Sequence, residues 1–190
     1  MGRAIRGALA GVAAVSVRLV HTPLDGVLIV EQERLGDERG FFARTYDLEL
    51  LPPVVQMSTS LNVRAGTLRG MHYQAEPHGE TKLVRCTRGA IFDVAVDLRG
   101  RSATRHRWFG AELSAENGRA LLIPAGIAHG FQTLVEDSEV LYAMDAPYVA
   151  EAARGVRWDD PAFAIQWPQP PPGGRTLSSR DGAYADIGDG

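Results

Sequence analysis

Strict alternation of residue types over residues 90–98 constrains the fold of this chain more than any other feature. The segment reads AIFDVAVDL. Successive side chains of an extended strand point to opposite faces, so the alternation separates two groups of residues. One face carries Phe92, Val94, Val96 and Leu98, and the other carries Ile91, Asp93, Ala95 and Asp97. The pattern predicts a β-strand with one apolar face.

Further short segments of the same kind follow along the middle of the chain. Strands are predicted over residues 82–87, 108–113, 119–123, 127–134 and 139–144. Asn117-Gly118 predicts a hairpin turn between two of them, because both residues tolerate positive φ. Residues 47–51 are the one helical candidate before these strands. Short strands with turns every eight to twelve residues or so predict an all-β sandwich or barrel.

Length, charge and cysteine content restrict the class of protein. The chain has 190 residues, 45% of them hydrophobic, which suits one domain with one core over residues 16–190. The net charge of −3 provides no overall field for nucleic acid. No apolar run is long enough to span a membrane. The lone Cys86 excludes an internal disulfide and fits a cytoplasmic setting.

The two ends of the chain are expected to differ from its middle. Residues 1–15 combine two arginines with small apolar residues, which loosely resembles a signal peptide. We expect instead an N-terminal extension that is disordered or loosely docked. The segment from Pro168 is rich in proline and glycine, which by composition is typical of a linker followed by a frayed terminus.

The segment LRGMHYQAEPHGETK concentrates polar groups that suit a metal site. Such a site needs three or four converging ligands, and one arrangement is a facial triad of His72, Glu80 and His129. The close-spaced ligand pair is missing, because the residue two beyond His72 is Gln74. His78 and Glu80 are expected to be solvated loop residues, and His129 suits a core position as well as it suits a site position.

The same segment also suits proton abstraction next to a ketone. This chemistry needs a base, a cation for the developing enolate and, for epimerisation, an acid on the opposite face. His72 suits the base, because imidazole titrates near neutral pH. Lys82 suits the cation, and Tyr142 is a candidate acid. Arg69 and His72 would lie on opposite faces of a regular strand, so we predict that Gly70 marks a bulge that lets both reach one cavity.

Several longer motifs resemble one known family over about residues 26–181. They are DERGFF, GTLRGMHYQ, KLVR, IFDVAVDLR, IPAGIAHGFQTL, RGVRWDDPAFAIQWP and LSSRD, together with the Tyr142/Tyr148 pair. In this order and spacing they resemble the dTDP-4-dehydrorhamnose 3,5-epimerase family. The resemblance implies a cupin-type jelly-roll barrel or sandwich with short flanking helices. It also implies a cofactor-independent epimerase that inverts C5, C3 or both in a dTDP-4-keto-6-deoxyhexose.

The resemblance implies catalytic roles for four positions. His72 matches the base, Asp181 matches its carboxylate partner, and Tyr142 matches the acid on the opposite sugar face. Lys82 matches a lysine near the C4 oxygen. The proline-rich tail is then expected to act as a strap that carries Asp181 back to His72.

The resemblance also implies a binding surface and a dimer. The implied binding residues are Arg69 at the diphosphate, Gln56 in the binding wall, Tyr148 near the nucleotide, His129 and Asp93 lining or supporting the site, and Arg39 and Phe42 reaching the nucleotide across a dimer interface. In the family, strands are exchanged between two subunits. A homodimer with exchanged N-terminal strands is therefore expected.

Three departures from the family pattern surround the substrate. The stretch after Gln56 is one residue longer than in the best-known members, Arg44 replaces a frequent glutamate, and residues 77–80 read PHGE. These positions bear on which sugar is bound and on how many centres are inverted. The alternatives are a mono-epimerase or keto-isomerase of a related nucleotide sugar, a sugar-nucleotide binding module without catalysis, and a metal-dependent cupin enzyme.

Overall fold

The computed structural model describes residues 15–188, which are nearly all strand and loop. The strands in this part of the chain are β1 (Val17–His21), β2 (Leu28–Gln32), β3 (Arg34–Asp37), β4 (Gly40–Ala43), β5 (Gln56–Asn62), β6 (Leu68–Gln74), β7 (Lys82–Arg88), β8 (Ala90–Asp97), β9 (Trp108–Ser114), β10 (Ala120–Ile123), β11 (Ile127–Thr133), β12 (Ser138–Met144) and β13 (Ala153–Gly155). A 3₁₀ turn (Ala150–Ala152) and helix α1 (Ser179–Gly182) flank them.

The strands form two antiparallel sheets that pack face to face. Over the described residues, the first sheet has the order β1-β2-β10-β7-β12-β5 and the second has the order β13-β6-β11-β8-β9. Val84 and Leu121 of the first sheet share one buried cluster with Ile91 and Phe131 of the second. The β3–β4 hairpin pairs separately. The predicted all-β sandwich with short flanking helices is confirmed.

The hairpin predicted at Asn117-Gly118 is wrong, although a turn is present. Gly118 has a φ of 64°, and its N–H donates to the Ser114 carbonyl at 2.9 Å. The turn joins strands of different sheets, because β9 pairs with β8 whereas β10 pairs with β2 and β7. Turn chemistry determines where the chain reverses, but long-range register determines which strands pair.

Strand β8 has the predicted apolar face, but both of its faces are buried, including Asp93 and Asp97 on the other face. The predicted apolar face, with Val94 and Val96, packs on Val156 and Phe163 of the C-terminal segment. The opposite face lies in the core between the sheets, where Ile91 is fully buried. The C-terminal segment therefore covers a strand face that would otherwise meet solvent.

Residues 47–51 form a turn instead of the predicted helix. The N–H groups of Leu50 and Leu51 both donate to the Asp47 carbonyl, at 3.1 and 2.9 Å. The two prolines that follow have no N–H with which to extend the turn. Leu51 is buried beside Val30 of β2, so tertiary packing keeps the turn in place.

The C-terminal segment is packed against the sandwich, so the linker interpretation based on composition is wrong. Thr176 pairs with Thr67 in a parallel bridge. Arg175 Nε donates to Gln132 Oε1 at 2.7 Å. Residues 169–181, here called the strap, thus run back over the second sheet and bring Asp181 to β6, as the strap hypothesis predicts.

The N-terminal extension predicted over residues 1–15 lies outside the described residues, apart from Val15. Val15 is buried, and β1 begins two residues later and pairs with β2. None of the helices within residues 15–188 has the length and apolar character needed to cross a membrane.

Candidate active site

A cavity of about 410 Å³ lies where β5, β7 and β12 of the first sheet approach β6 of the second. Five of the predicted site residues line it, and they come from four separate strands and one loop. They are Gln56, His72, Lys82, Tyr142 and Tyr148. The fold therefore brings together groups that are up to 92 positions apart in the chain.

His72 lies on β6 and is paired with the predicted carboxylate. Its Nε2 is 2.7 Å from Asp181 Oδ1. An ionised carboxylate can only accept hydrogen bonds, so this pairing places a proton on Nε2 and leaves the Nδ1 lone pair available as a base. The imidazole is 39% exposed and the carboxylate 6%. The imidazole is thus open to the cavity, whereas the carboxylate is shielded from solvent.

Asp181 is held in place by backbone and side-chain hydrogen bonds. Helix α1 begins after Ser178, whose Oγ accepts from the Asp181 N–H at 3.0 Å, and the Gly70 N–H donates to Asp181 Oδ2 at 3.4 Å. Burial acts to raise the pKa of Asp181, but the hydrogen bond and charge of His72 outweigh it, and the pKa lies below its usual value. The carboxylate is therefore ionised at neutral pH.

Gly70 supplies the predicted bulge in β6. Its φ is 125°, a conformation that favours glycine. A Cβ at this position would lie 2.5 Å from Gly130 Cα on β11. Between residues 69 and 72, β6 advances three positions while β11 advances two, which confirms the irregular pairing.

Tyr142 faces the same cavity from β12, in the sheet opposite His72. Its hydroxyl lies 3.1 Å from Ser60 Oγ. Burial raises the pKa of Tyr142 to about 12, although the Ser60 hydrogen bond opposes this effect. The phenol is therefore neutral over the physiological range and holds a proton that it can donate.

His129 is a buried core residue rather than a wall of the cavity. Its Nε2 lies 2.7 Å from Asp93 Oδ1, and the two side chains are 5% and 0% exposed. Burial raises the pKa of Asp93, and the effect of His129 opposes it. The imidazole meets the Tyr142 ring edge to face at 6.2 Å between centroids. It is placed to support Tyr142 and does not itself reach the cavity.

Lys82 forms an ion pair inside the cavity. Its Nζ lies 2.9 Å from Glu80 Oε1, and the side chains are 13% and 8% exposed. The interpretation of Glu80 as a solvated loop residue is therefore wrong, whereas His78 is exposed as expected. The cavity thus contains an ammonium group with a carboxylate partner.

Other predicted binding residues occupy different parts of the site. Gln56 and Tyr148 stand together, because the Tyr148 N–H donates to Gln56 Oε1 at 3.0 Å. Arg69 is not in the cavity wall, so the prediction that the Gly70 bulge brings Arg69 and His72 into one cavity is wrong. Arg69 Nε instead donates to Asn62 Oδ1 at 2.7 Å. Its positive charge nevertheless acts on the Tyr142 phenol.

The predicted nucleotide contacts Arg39 and Phe42 lie on the β3–β4 hairpin. Arg39 pairs with Asp37 of the same hairpin, and Phe42 is 64% exposed. Neither residue lines the cavity of its own chain. A contribution from these residues to the site would have to come from a second copy.

The metal alternative fails on the arrangement of its ligands. Within residues 15–188, no group of three or more His, Cys, Asp or Glu side chains is placed to hold a metal ion. Of the hypothetical triad only His72 and Glu80 line the cavity, whereas His129 is buried in the core beside Asp93. The triad does not assemble.

The cavity-wall residues that sequence reasoning missed include Gln74, Arg154 and Arg180. Both arginines belong to the motifs RGVRW and LSSRD, so their position in those motifs was an available signal. With Lys82 they make the cavity predominantly cationic, which suits an anionic ligand such as a diphosphate. Gln74, dismissed as a metal ligand, instead has a structural role in the loop that carries Glu80.

Comparison with known proteins places this arrangement in one family. The family model described as dTDP-4-dehydrorhamnose 3,5-epimerase matches residues 21–189. A dTDP-4-dehydrorhamnose 3,5-epimerase of Sinorhizobium fredii is 48% identical over 149 residues, which are 75% of this chain and 76% of the relative.

Solved structures agree with the sequence comparison. A Bacillus anthracis dTDP-4-dehydrorhamnose 3,5-epimerase with TDP and pyrophosphate bound superposes with a TM-score of 0.85 at 39% identity, covering 90% of this chain and 100% of that one. A Legionella pneumophila dTDP-6-deoxy-D-glucose-3,5-epimerase in complex with dTDP-4-keto-L-rhamnose gives 0.82 at 36% identity, covering 89% and 92%. The predicted cupin-type fold class is confirmed. The chain belongs to the dTDP-4-dehydrorhamnose 3,5-epimerase family of isomerases.

Proposed function

We propose that this protein is an epimerase of a dTDP-4-keto-6-deoxyhexose, with His72 as the base and Tyr142 as the acid. The observation that carries the proposal is the placement of the two groups. His72, paired with Asp181 at 2.7 Å, and the neutral Tyr142 line one cavity from opposite sheets. Inversion at a carbon requires removal of a proton from one face and its return to the other.

The reaction steps follow from these positions. His72 Nδ1 accepts the proton from C5, and the electrons of the broken C–H bond form an enolate with the C4 oxygen. The Lys82 ammonium stabilises the negative charge on that oxygen. Tyr142 then gives its proton to C5 from the other face. The tyrosinate regains a proton from solvent, and His72 releases to solvent the proton that it took from C5. The same groups act at C3 if the sugar turns in the cavity.

The substrate class is supported by the charges around the cavity and by the relatives. Lys82, Arg154 and Arg180 provide cations in the cavity wall, and Arg69 adds one beside it. We assign Arg69 to the diphosphate, and Gln56 and Tyr148 to the wall that faces the sugar nucleotide. The Legionella relative binds dTDP-4-keto-L-rhamnose.

We also propose a homodimer with exchanged N-terminal strands. Strand β5 is at an edge of the first sheet and exposes Met57 and Leu61, and the β3–β4 hairpin exposes Phe41 and Phe42. Unpaired strand edges with apolar side chains favour pairing with another chain. Exchange of the hairpin would cover these side chains and bring Arg39 and Phe42 to the partner's nucleotide.

We propose a cytoplasmic location, because the sequence contains a single cysteine and therefore no internal disulfide. The buried free thiol of Cys86 is compatible with a reducing compartment. Cell fractionation tests this location, and recovery of the protein mainly outside the cell would contradict it.

The central experiment follows dTDP-4-keto-6-deoxyglucose by NMR in deuterated water. The wild-type protein should incorporate deuterium at C5, at C3 or at both, and exchange at a single carbon would identify a mono-epimerase. His72→Ala should lower the exchange rate about 100- to 10,000-fold, the range that a positioned general base contributes. His21→Ala, at an exposed histidine of β1, is the matched control and should exchange normally. Exchange by His72→Ala at the wild-type rate would refute the assignment.

A further inference from the structure

Glu80 is the one acidic side chain in the cavity wall of residues 15–188 that the proposed reaction does not use. It lies in the loop between β6 and β7, where the sequence PHGE departs from the family pattern. A carboxylate beside a reaction that generates negative charge needs an explanation, because it would oppose that charge unless a cation is paired with it.

Glu80 and Lys82 form a direct ion pair that is largely shielded from solvent. Residues two apart on an extended chain point to the same side, so both side chains enter the cavity together. Glu80 Oε1 lies 2.9 Å from Lys82 Nζ, and the two side chains are 8% and 13% exposed. An ammonium group has three N–H donors, so this contact leaves two of them for a substrate oxygen.

The loop that carries Glu80 is itself held from two sides. Gln74 Nε2 donates to Glu80 Oε2 at 3.3 Å and to the His78 carbonyl at 3.1 Å. On the other side, the Thr81 N–H donates to Asp145 Oδ1 at 2.7 Å. The carboxylate is therefore fixed before substrate arrives, which is the condition for electrostatic preorganisation.

We propose that Glu80 is a positioning residue for the epimerase reaction, which acts by holding the Lys82 ammonium group toward the C4 oxygen. This role rests on the proposed function, because Lys82 is taken as the group that stabilises the enolate. Lysine has a long and flexible side chain, and the carboxylate restricts it to one direction. Loss of the carboxylate should affect the chemical step more than substrate binding.

The competing explanation is that Glu80 only anchors its loop. In that case removal of the carboxylate would change the shape of the cavity, and its effect on the rate would be the same with or without Lys82. A double-mutant cycle separates the two explanations, because residues that act through each other are not additive.

The experiment compares Glu80→Gln, which keeps the side-chain shape and removes the charge, with Glu76→Gln as matched control. Glu76 is an exposed residue of the same loop. We expect kcat of Glu80→Gln to fall about 10- to 100-fold, the range typical of groups that orient a catalytic partner, with KM within about threefold. Glu76→Gln should match the wild type. Glu80→Ala, measured in the same way, carries the test if the glutamine variant does not fold.

The cycle is completed with Lys82→Ala and the double variant. If Glu80 acts through Lys82, the double variant should be no slower than Lys82→Ala, within about twofold. The inference would be overturned if the fold-decrease in kcat of the double variant equalled the product of the two single decreases. It would also be overturned if Glu80→Gln were as fast as the wild type. Failure of the proposed function is a separate outcome, because then the wild-type protein itself would exchange no deuterium.

Discussion

Replacement of Asp181 by asparagine tests the most specific feature of the site. The carboxylate accepts the Nε2–H of His72 at 2.7 Å and so keeps the Nδ1 lone pair free. An amide can instead donate its N–H to Nε2, which would place the proton on Nδ1 and disable the base. The amide also provides no negative charge when His72 becomes cationic during proton transfer.

The size of the effect can be worked from the geometry. At 2.7 Å and an effective dielectric constant of about 20, opposite unit charges attract by about 6 kcal/mol. The imidazole is 39% exposed, so water screens part of this attraction. If about half remains, the loss is about 3 kcal/mol, or somewhat more than 100-fold in kcat. The wrong tautomer adds to that figure, so we expect a loss of about 100- to 10,000-fold.

The assay is single-turnover deuterium exchange at C5, with the melting temperature measured on the same samples. Asp186→Asn is the matched control, because Asp186 is a half-exposed carboxylate five residues further along the tail, paired with Arg157 at 3.0 Å. Asp181→Asn should fold and bind dTDP while its exchange rate falls. An Asp181→Asn protein that is folded and exchanges within fivefold of the wild type would show that His72 does not depend on this carboxylate.

Two further predictions concern Tyr142 and the dimer. Burial raises the pKa of Tyr142 to about 12 in the folded protein, above the value of about 10 in the unfolded chain. The neutral phenol therefore contributes to the free energy of unfolding below about pH 10. That contribution is lost as the pH rises towards 12. An ultraviolet titration of Tyr142→Phe should therefore lack a tyrosinate step near pH 12, and loss of a step near pH 10 would contradict the burial argument. Sedimentation of the wild type should give twice the 20.5 kDa chain mass, and Leu61→Glu on β5 should shift it to the monomer. A wild type that sediments as a single chain would refute the dimer.

Sequence patterns predicted the strands in the middle of the chain, β7 to β12, because strand formation is a local property. They did not predict β1 to β5 or β13. Alternation over residues 90–98 indicated β8 to within one residue. The same pattern did not show which strands pair, so the Asn117-Gly118 turn was assigned to a hairpin although it links two sheets. Pairing depends on contacts between residues far apart in the chain, and one sequence contains little information on them.

Residues of the candidate site that belong to recognisable motifs were predicted from the sequence. Residues whose position depends on burial were not. His72, Tyr142 and Asp181 were identified from motifs that resemble a family. Glu80 was assigned to solvent because its loop is short and polar, and charged residues are seldom buried. Glu80 is buried through its contacts with Lys82 and Gln74, and the composition of the loop predicts neither contact.

The C-terminal tail, from Val156 to Ile187, contributes both to the stability of the fold and to the geometry of the candidate site. Val156 and Phe163 cover the outer face of β8, and Asp160 accepts the N–H of Ile187 at 2.6 Å, so the chain is anchored both before and after the strap. Proline restricts the unfolded strap, which lowers the entropy lost on ordering it. Asp181 lies between these anchors. The orientation of His72, the proposed base, therefore depends on apolar contacts made by the tail, and a change that loosens the tail should disable His72 before it unfolds the sheets.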